Sequence, residues 1–208
     1  MKLSSNMTLY AITPHDSNHI FKDVWITLEG GVHMIQYRDK TSSPNQFFNR
    51  ALQLSHLCKK KKIPLILNDY VHFVHKTGAS GAHIGQNDLS IKEARRILGP
   101  EKILGVTAKT VAQAKRAESL GADYLGCGSI FPSITKKEAQ PMSIQTLCSI
   151  TQAVSIPVFA IGGIQLNNIS VFEHTGIRGA AVCEAIFKNG NIHQNTKHFQ
   201  ILLQNLRP

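Results

Sequence analysis

Short apolar runs recur along the chain at a nearly constant interval, and this spacing limits the fold more than any other feature. LYAIT begins at residue 9, MIQYR at 34, PLILND at 64, GAHIG at 81, ILGVT at 103, YLGCGSI at 124, PVFAIG at 157 and GAAVCEAI at 179. They lie on average about 24 residues apart, the length of one strand plus one helix. Segments of helical period fill the gaps. PNQFFNRALQLSHLCKKKK precedes the third run; Ser90 opens SIKEARRILG, with Glu93 at the capping-box position and Gly99 as the stop; Thr110 opens TVAQAKRAESLG, which Gly121 closes. Nearly continuous apolar strands joined by helices predict a parallel sheet covered on both faces. Eight such units in 208 residues predict a single (β/α)8 TIM barrel over residues 1–208, with a doubly wound open sheet as the alternative. No Pro/Ser-rich linker or low-complexity tract divides the chain.

A hydrophobic content of 42% is enough for a substantial core. The opening MKLSSNMTLYAIT lacks the apolar stretch of a secretory signal, and no window approaches the ~20 apolar residues of a membrane helix, so a soluble cytoplasmic protein is expected. Cys58, Cys127, Cys148 and Cys183 form no CxxC pair and suggest neither zinc nor a disulfide framework. His72 and His75 would meet on a helix, but no third ligand is near, and a solvated face suits them better. The net charge of +10 is compatible with nucleic acid, a membrane surface or an anionic substrate. Position decides. The densest run, Lys59 to Lys62, closes a helix, where cations are favoured by the dipole. With no basic tail, zinc-finger spacing or aromatic RNA-binding strand, neither nucleic acid nor membrane is an expected partner. An anionic small molecule is.

In a barrel of this kind chemistry collects at the C-terminal ends of the strands. Those ends are polar where the strand bodies are not. Gln36, Arg38 and Lys40 alternate through IQYRDK and so share one face; Asn68 and Asp69 end the third run; Gln86 and Asp88 follow the fourth; Thr107 ends the fifth. The sixth run leads into FPSITKK, with Ser133, Thr135 and Lys136, and the seventh ends at Gly162 and Gly163. Strands 3 and 4 would be neighbours about 4.8 Å apart, so Asp69 and Asp88 can face one cation; two carboxylates beside amides suit Mg²⁺. The cations on strand 2 and the strand 6 loop would hold the far oxygens of a diphosphate. Taken singly, each feature has a plainer role: Asp69 and Asp88 as helix caps, Lys136 as a solvated loop charge, the glycine pair as a turn. It is their conjunction that points to a site.

Over nearly its whole length, from LYAIT through IQYRDK, LILNDY, GAHIGQNDL, ILGVTAKT, GADYLGCGSIFPSITKK and IPVFAIGGI to GAAVCEAI, the chain resembles the thiamine phosphate synthases. The resemblance implies a TIM barrel that joins a hydroxymethylpyrimidine diphosphate to a thiazole phosphate and releases diphosphate. It implies Mg²⁺ on Asp69 and Asp88, and the pyrimidine diphosphate on Gln36, Arg38, Lys40, Asn68, Thr107 and Lys136. Thiazole phosphate would lie against Ser133, Thr135, Gly163, Cys183 and Glu184. Arg38, Lys40 and Lys136 would stabilise the leaving diphosphate while a pyrimidine-stabilised cation forms, and no protein nucleophile is needed. A homo-oligomer is left open.

The chain also departs from that family. GVTAKT carries Lys109 where the family has His in GVSAHT, Ser133 replaces Thr, Ser129 replaces Pro, and Glu184 stands where the family has a serine that donates to the thiazole phosphate. A carboxylate at ~4 Å from that phosphate would repel it by roughly 4 kcal/mol per unit charge pair at an effective dielectric near 20. Glu184 therefore either turns aside, toward Lys188 or Arg178, or alters how the second substrate is handled. Two alternatives follow: a degenerate barrel that only binds thiamine-related phosphates, and a thiazole tautomerase-like enzyme. The tautomerases lack the acidic pair and use a histidine at the position of Ser129, which serine cannot replace as a proton shuttle.

Overall fold

The structure, a computed structural model, describes residues 3, 6–15, 17, 19–132, 141–188 and 190–206. Its strands are β1 Leu9–Ile12, β2 Met34–Tyr37, β3 Leu65–Asn68, β4 Gly81–Ile84, β5 Ile103–Ala108, β6 Tyr124–Cys127, β7 Val158–Ile161 and β8 Gly179–Val182. Each pairs in parallel with the next, and β8 returns to β1, closing the barrel. That closure excludes the open sheet. The helices among the described residues are α1 Ile20–Glu29, α2 Pro44–Lys60, α3 Val74–Thr77, α4 Ile91–Leu98, α5 Val111–Ser119, α6 Ile144–Ala153, α7 Glu184–Phe187 and α8 Ile192–Asn205, with 3-10 turns at Val71–Phe73 and Ile169–Phe172.

Local chemistry accounts for the helix ends. Ser43 and Gln46 form a reciprocal capping box at the start of α2, with Pro44 at its first position. Ser90 accepts from Glu93 N–H to start α4, but the Glu93 carboxylate turns to Arg96 at 2.6 Å, so the reciprocal half of the expected box is replaced by an ion pair. Thr110 caps α5 through Gln113 N–H. Gly99 ends α4 at φ 67°, a left-handed conformation that glycine adopts without a Cβ clash. Lys59 and Lys60 fall in the last turn of α2, as expected of cations facing the carbonyl end.

Strand periodicity sorts the core into two compartments. Leu9 and Ala11 face outward into the layer between barrel and helices, whereas Tyr10 and Ile12 face inward with Met34, Ile66, Ile103, Tyr124 and Phe159. The same alternation in β2 sends Gln36 inward and Tyr37 outward. Tyr37 stacks on Phe47 of α2 at 4.5 Å, and Phe47 on Tyr70 at 4.0 Å, so one aromatic column clamps α2 against the ends of β2 and β3. Asp39, also outward and 6% exposed, accepts from Tyr37, Ser42, Thr41 and Arg50. Burial alone would raise its pKa, but these donors hold the carboxyl well below the usual range. IQYRDK is therefore two-faced: its odd residues lock the strand end to α2, and its even residues face the mouth.

The four cysteines are free, and burial pushes the Cys58 and Cys127 thiols up to about 12. His72 and His75 are exposed, and His75 Nε2 lies 3.1 Å from the Ile97 carbonyl. No helix among the described residues is long and apolar enough to cross a membrane.

Candidate active site at the barrel mouth

The inward register extends each strand into the same opening. Position by position, the inward residues are Met34, Gln36 and Arg38 after one strand, Ile66 and Asn68 on the next, then His83 and Gly85, and then Ile103, Gly105, Thr107 and Lys109. The lower members are apolar and packed. The upper ones line a cavity of about 380 Å³ at the C-terminal ends of the strands. Gln36, Arg38, Lys40, Asn68, Asp69 and Asp88 all lie in its wall, and so do Thr107, Gly163, Cys183 and Glu184. Ser133, Thr135 and Lys136 lie outside the described residues.

The acidic pair is built by two turns. Asp69 has φ 66°, a left-handed conformation uncommon for a residue with a Cβ, and its N–H donates to the His83 carbonyl at 2.9 Å. The chain folds tightly there, since Tyr70 N–H reaches the Asn68 carbonyl at 2.8 Å and Val71 N–H the Asp69 carbonyl at 2.9 Å. Asp88 is oriented by the Gly85 N–H, which donates to its Oδ2 at 2.7 Å. The capping alternatives give way here: Tyr70 precedes the 3-10 turn without a side-chain cap, and Ser90 caps α4.

Charge is arranged as well as shape. Burial pushes the Asp69 carboxyl upward, the neighbouring Asp88 pushes it further by hydrogen bonding and charge, and Lys40 pulls it down. Lys40 Nζ lies 3.6 Å from Asp69 Oδ2. Two carboxylates held against each other are an oxygen-only donor set that a hard divalent cation would relieve, so the residues fit Mg²⁺. Arg38 is fixed through its backbone, whose N–H donates to Thr13 Oγ1 at 3.0 Å while the Thr13 hydroxyl donates to its carbonyl at 3.3 Å. Its side chain is left to the mouth. Among the described residues no group of three or more His, Cys, Asp or Glu forms a metal cluster.

Four wall residues with polar side chains were not among the expected site positions: His83, Lys109, Ser129 and Gln165. Lys109 and His83 could have been read from the strand period, being two residues beyond Thr107 and two before Gly85. Gln86, by contrast, turns its amide to the Thr107 carbonyl and leaves the wall. Glu184 opens α7 directly after β8 and is half-buried in the cavity wall.

Relatives of this architecture are identifiable. The family described as thiamine monophosphate synthase matches residues 9–186. A thiamine-phosphate synthase of Ruminiclostridium cellulolyticum is 39% identical over 200 residues, covering 95% of each chain. Thiamine-phosphate synthase 2 of Streptococcus pneumoniae is 44% identical over 176 residues, 85% of this chain and 84% of its own. Among solved structures, the thiamine phosphate pyrophosphorylase of Pyrococcus furiosus superposes with a TM-score of 0.90 at 29% identity, covering 98% of both chains. A closed barrel with a polar mouth, matched in sequence and in backbone along almost the entire chain, leaves one assignment: this protein belongs to the thiamine monophosphate synthase family.

Proposed function

We infer that the cavity at the barrel mouth is the active site of a thiamine phosphate synthase, which joins a hydroxymethylpyrimidine diphosphate to a thiazole phosphate with release of diphosphate. One observation carries the reading: residues from β2, β3, β4, β5 and β8, distant in sequence, line one cavity with an acidic pair and two cations side by side. Asp69 and Asp88 would hold Mg²⁺, which when bound neutralises charge on the diphosphate oxygens. Arg38 and Lys40 stabilise the charge that grows on the departing diphosphate as its bond to the pyrimidine methylene breaks, and the electron pair leaves with it. Lys136 takes the same role. Gln36, Asn68 and Thr107 orient the pyrimidine diphosphate, and Gly163, Cys183 and Glu184 of the cavity wall, together with Ser133 and Thr135, take the thiazole phosphate. The thiazole nitrogen lone pair then forms the new bond at the methylene carbon, so positioning replaces nucleophilic catalysis by the protein.

A diphosphate-release assay with each substrate omitted in turn tests this. Turnover that needs both substrates and Mg²⁺, and that falls at least about 100-fold in Asp88→Asn, is expected, because that change deletes one of two metal-binding charges. Glu184 in the wall favours one second reading, a barrel that binds thiamine-related phosphates without reaction. Saturable binding with no diphosphate released would select it.

A further inference from the structure

Below the cavity floor an unbroken run of hydrogen bonds crosses the barrel from one wall to the other. The Gln36 amide on β2 donates through Nε2 to the Tyr10 hydroxyl on β1. Tyr10 Oη lies 2.7 Å from Tyr124 Oη on β6, Tyr124 Oη 3.1 Å from His83 Nδ1 on β4, and His83 Nε2 2.9 Å from Thr107 Oγ1 on β5. Gln36, Tyr10, Tyr124 and His83 are 2%, 1%, 0% and 7% exposed, so bulk water does not compete for these groups. Burial raises the pKa of both phenols above the ordinary range, which keeps their protons in place.

The barrel makes room for this run at two glycines. A methyl group on Gly105 would overlap the Tyr124 phenol and come within 2.5 Å of His83 Nδ1, at the very contact between the two rings. One on Gly126 would press on His83 Cε1 at 3.1 Å. Polar groups at the centre of an otherwise apolar interior are costly unless every partner is supplied.

Proton counting gives the run a direction. Each hydroxyl carries one proton, and a neutral imidazole carries one N–H. With Gln36 Nε2 as the first donor, His83 neutral and each phenol proton used within the run, the one consistent direction has Tyr10 donating to Tyr124 and Tyr124 to His83 Nδ1. The imidazole proton is then on Nε2 and goes to Thr107 Oγ1. Thr107 is left with its own proton for the cavity, and Gln36 with its carbonyl oxygen. Reversal would require every member to turn at once, after which Gln36 would offer N–H and Thr107 only lone pairs.

We propose that Tyr10, Tyr124 and His83 form a positioning chain that sets which of two facing wall residues, Gln36 and Thr107, offers the substrate an acceptor and which a donor. The inference rests on the reading of the cavity as a pyrimidine diphosphate site. An aminopyrimidine ring places an amine donor beside a ring-nitrogen acceptor, and so calls for one wall group of each kind.

Tyr124→Phe tests it, because it deletes one oxygen from the middle of the run and keeps the ring. The expected result is a KM for the pyrimidine diphosphate raised about tenfold, the scale of one buried hydrogen bond, with the KM for thiazole phosphate unchanged. Tyr10→Phe should behave alike, and thermal unfolding of both variants confirms that they fold. Combined with Thr107→Ala, Tyr124→Phe should cost at least about threefold less than the product of the two single losses. Equal effects on both substrates, or strict multiplicativity, would mean packing alone and overturn the proposal. Nitrogen-15 NMR of the unaltered protein gives an independent reading: protonated Nε2 and bare Nδ1 on His83 are expected, and the opposite tautomer would refute the stated direction. If the unaltered protein releases no diphosphate, the functional reading falls and takes this one with it. If it turns over normally and Tyr124→Phe is silent, only the positioning chain is lost.

Discussion

Replacing Asp69 by asparagine should make the metal-free protein more stable while abolishing the Mg²⁺-dependent turnover proposed for it. Asp69 is partly buried, faces Asp88, and takes a left-handed backbone conformation that asparagine accepts at least as well as aspartate. Asp69 keeps about a third of its side-chain surface in water at the open mouth, so an effective dielectric between about 40 and the ~80 of bulk water applies, and relieving one like-charge contact at ~4 Å contributes about 1 to 2 kcal/mol. Losing the attraction of Lys40, whose side chain is 55% exposed, costs at most about 0.5 kcal/mol. The balance is a gain of about 1 kcal/mol, or roughly 2–4 °C in the melting temperature of a chain this size. Its pH dependence has a definite sign. The folded-state pKa of Asp69 is raised, so the native protein binds the extra proton and the penalty on the unaltered protein is absent below the unfolded value near ~3.9. The penalty grows as pH rises through the raised folded value and is complete above it. Denaturant unfolding without metal should therefore show the variant ahead at pH 7 to 8 and level with the parent in acid. Adding Mg²⁺ and diphosphate should invert the order, because ligand at 100 times its Kd stabilises only the unaltered protein, by about 2.7 kcal/mol. A variant no more stable than the parent at pH 8 would refute the claim that Asp69 and Asp88 repel each other in the folded state.

Two further perturbations address other parts of the molecule. Glu184→Ser should lower the KM for thiazole phosphate at least about tenfold in steady-state kinetics and leave that for the pyrimidine diphosphate unchanged, since a repelling charge is exchanged for a donor; an unchanged or higher KM counts against repulsion. Asp39→Asn should destabilise the protein by about 3 kcal/mol at pH 7, because it strips the charge from a buried acceptor that holds Arg50, Thr41 and Ser42. The folded pKa of Asp39 is depressed, so that stability is present above the unfolded value and is lost progressively as pH falls from there through the depressed folded value. Unfolding curves for parent and variant should converge in acid, and a constant gap would mean that charge is not the cause.

Which residues would meet at the barrel mouth was legible because strand geometry is so regular. Once IQYRDK was assigned to a strand in a barrel, a period of two carried Gln36 and Arg38 to the mouth, and the neighbouring places of β3 and β4 carried Asp69 and Asp88 to each other. The same rule hid His83, Tyr10 and Tyr124. Each sits in a run that looks simply apolar, and a buried polar side chain shows its purpose only when its partners are known. Those partners lie on strands 26, 114 and 41 residues away. Glu93 shows the converse: the capping-box spacing was correct, yet Arg96 won its carboxylate, a competition between local partners that spacing does not resolve.

By itself, then, the order of residues determined the eight-unit barrel, the polar rim and the sign of its charges, since hydrophobic period and capping act over a few neighbouring positions. Only the closed tertiary structure decided that Lys40 pairs with Asp69, that Glu184 shares their cavity, and that one hydrogen-bonded line runs from Gln36 to Thr107. Such contacts depend on shear, strand order and the space left by Gly105 and Gly126, and these exist only once all eight strands have met.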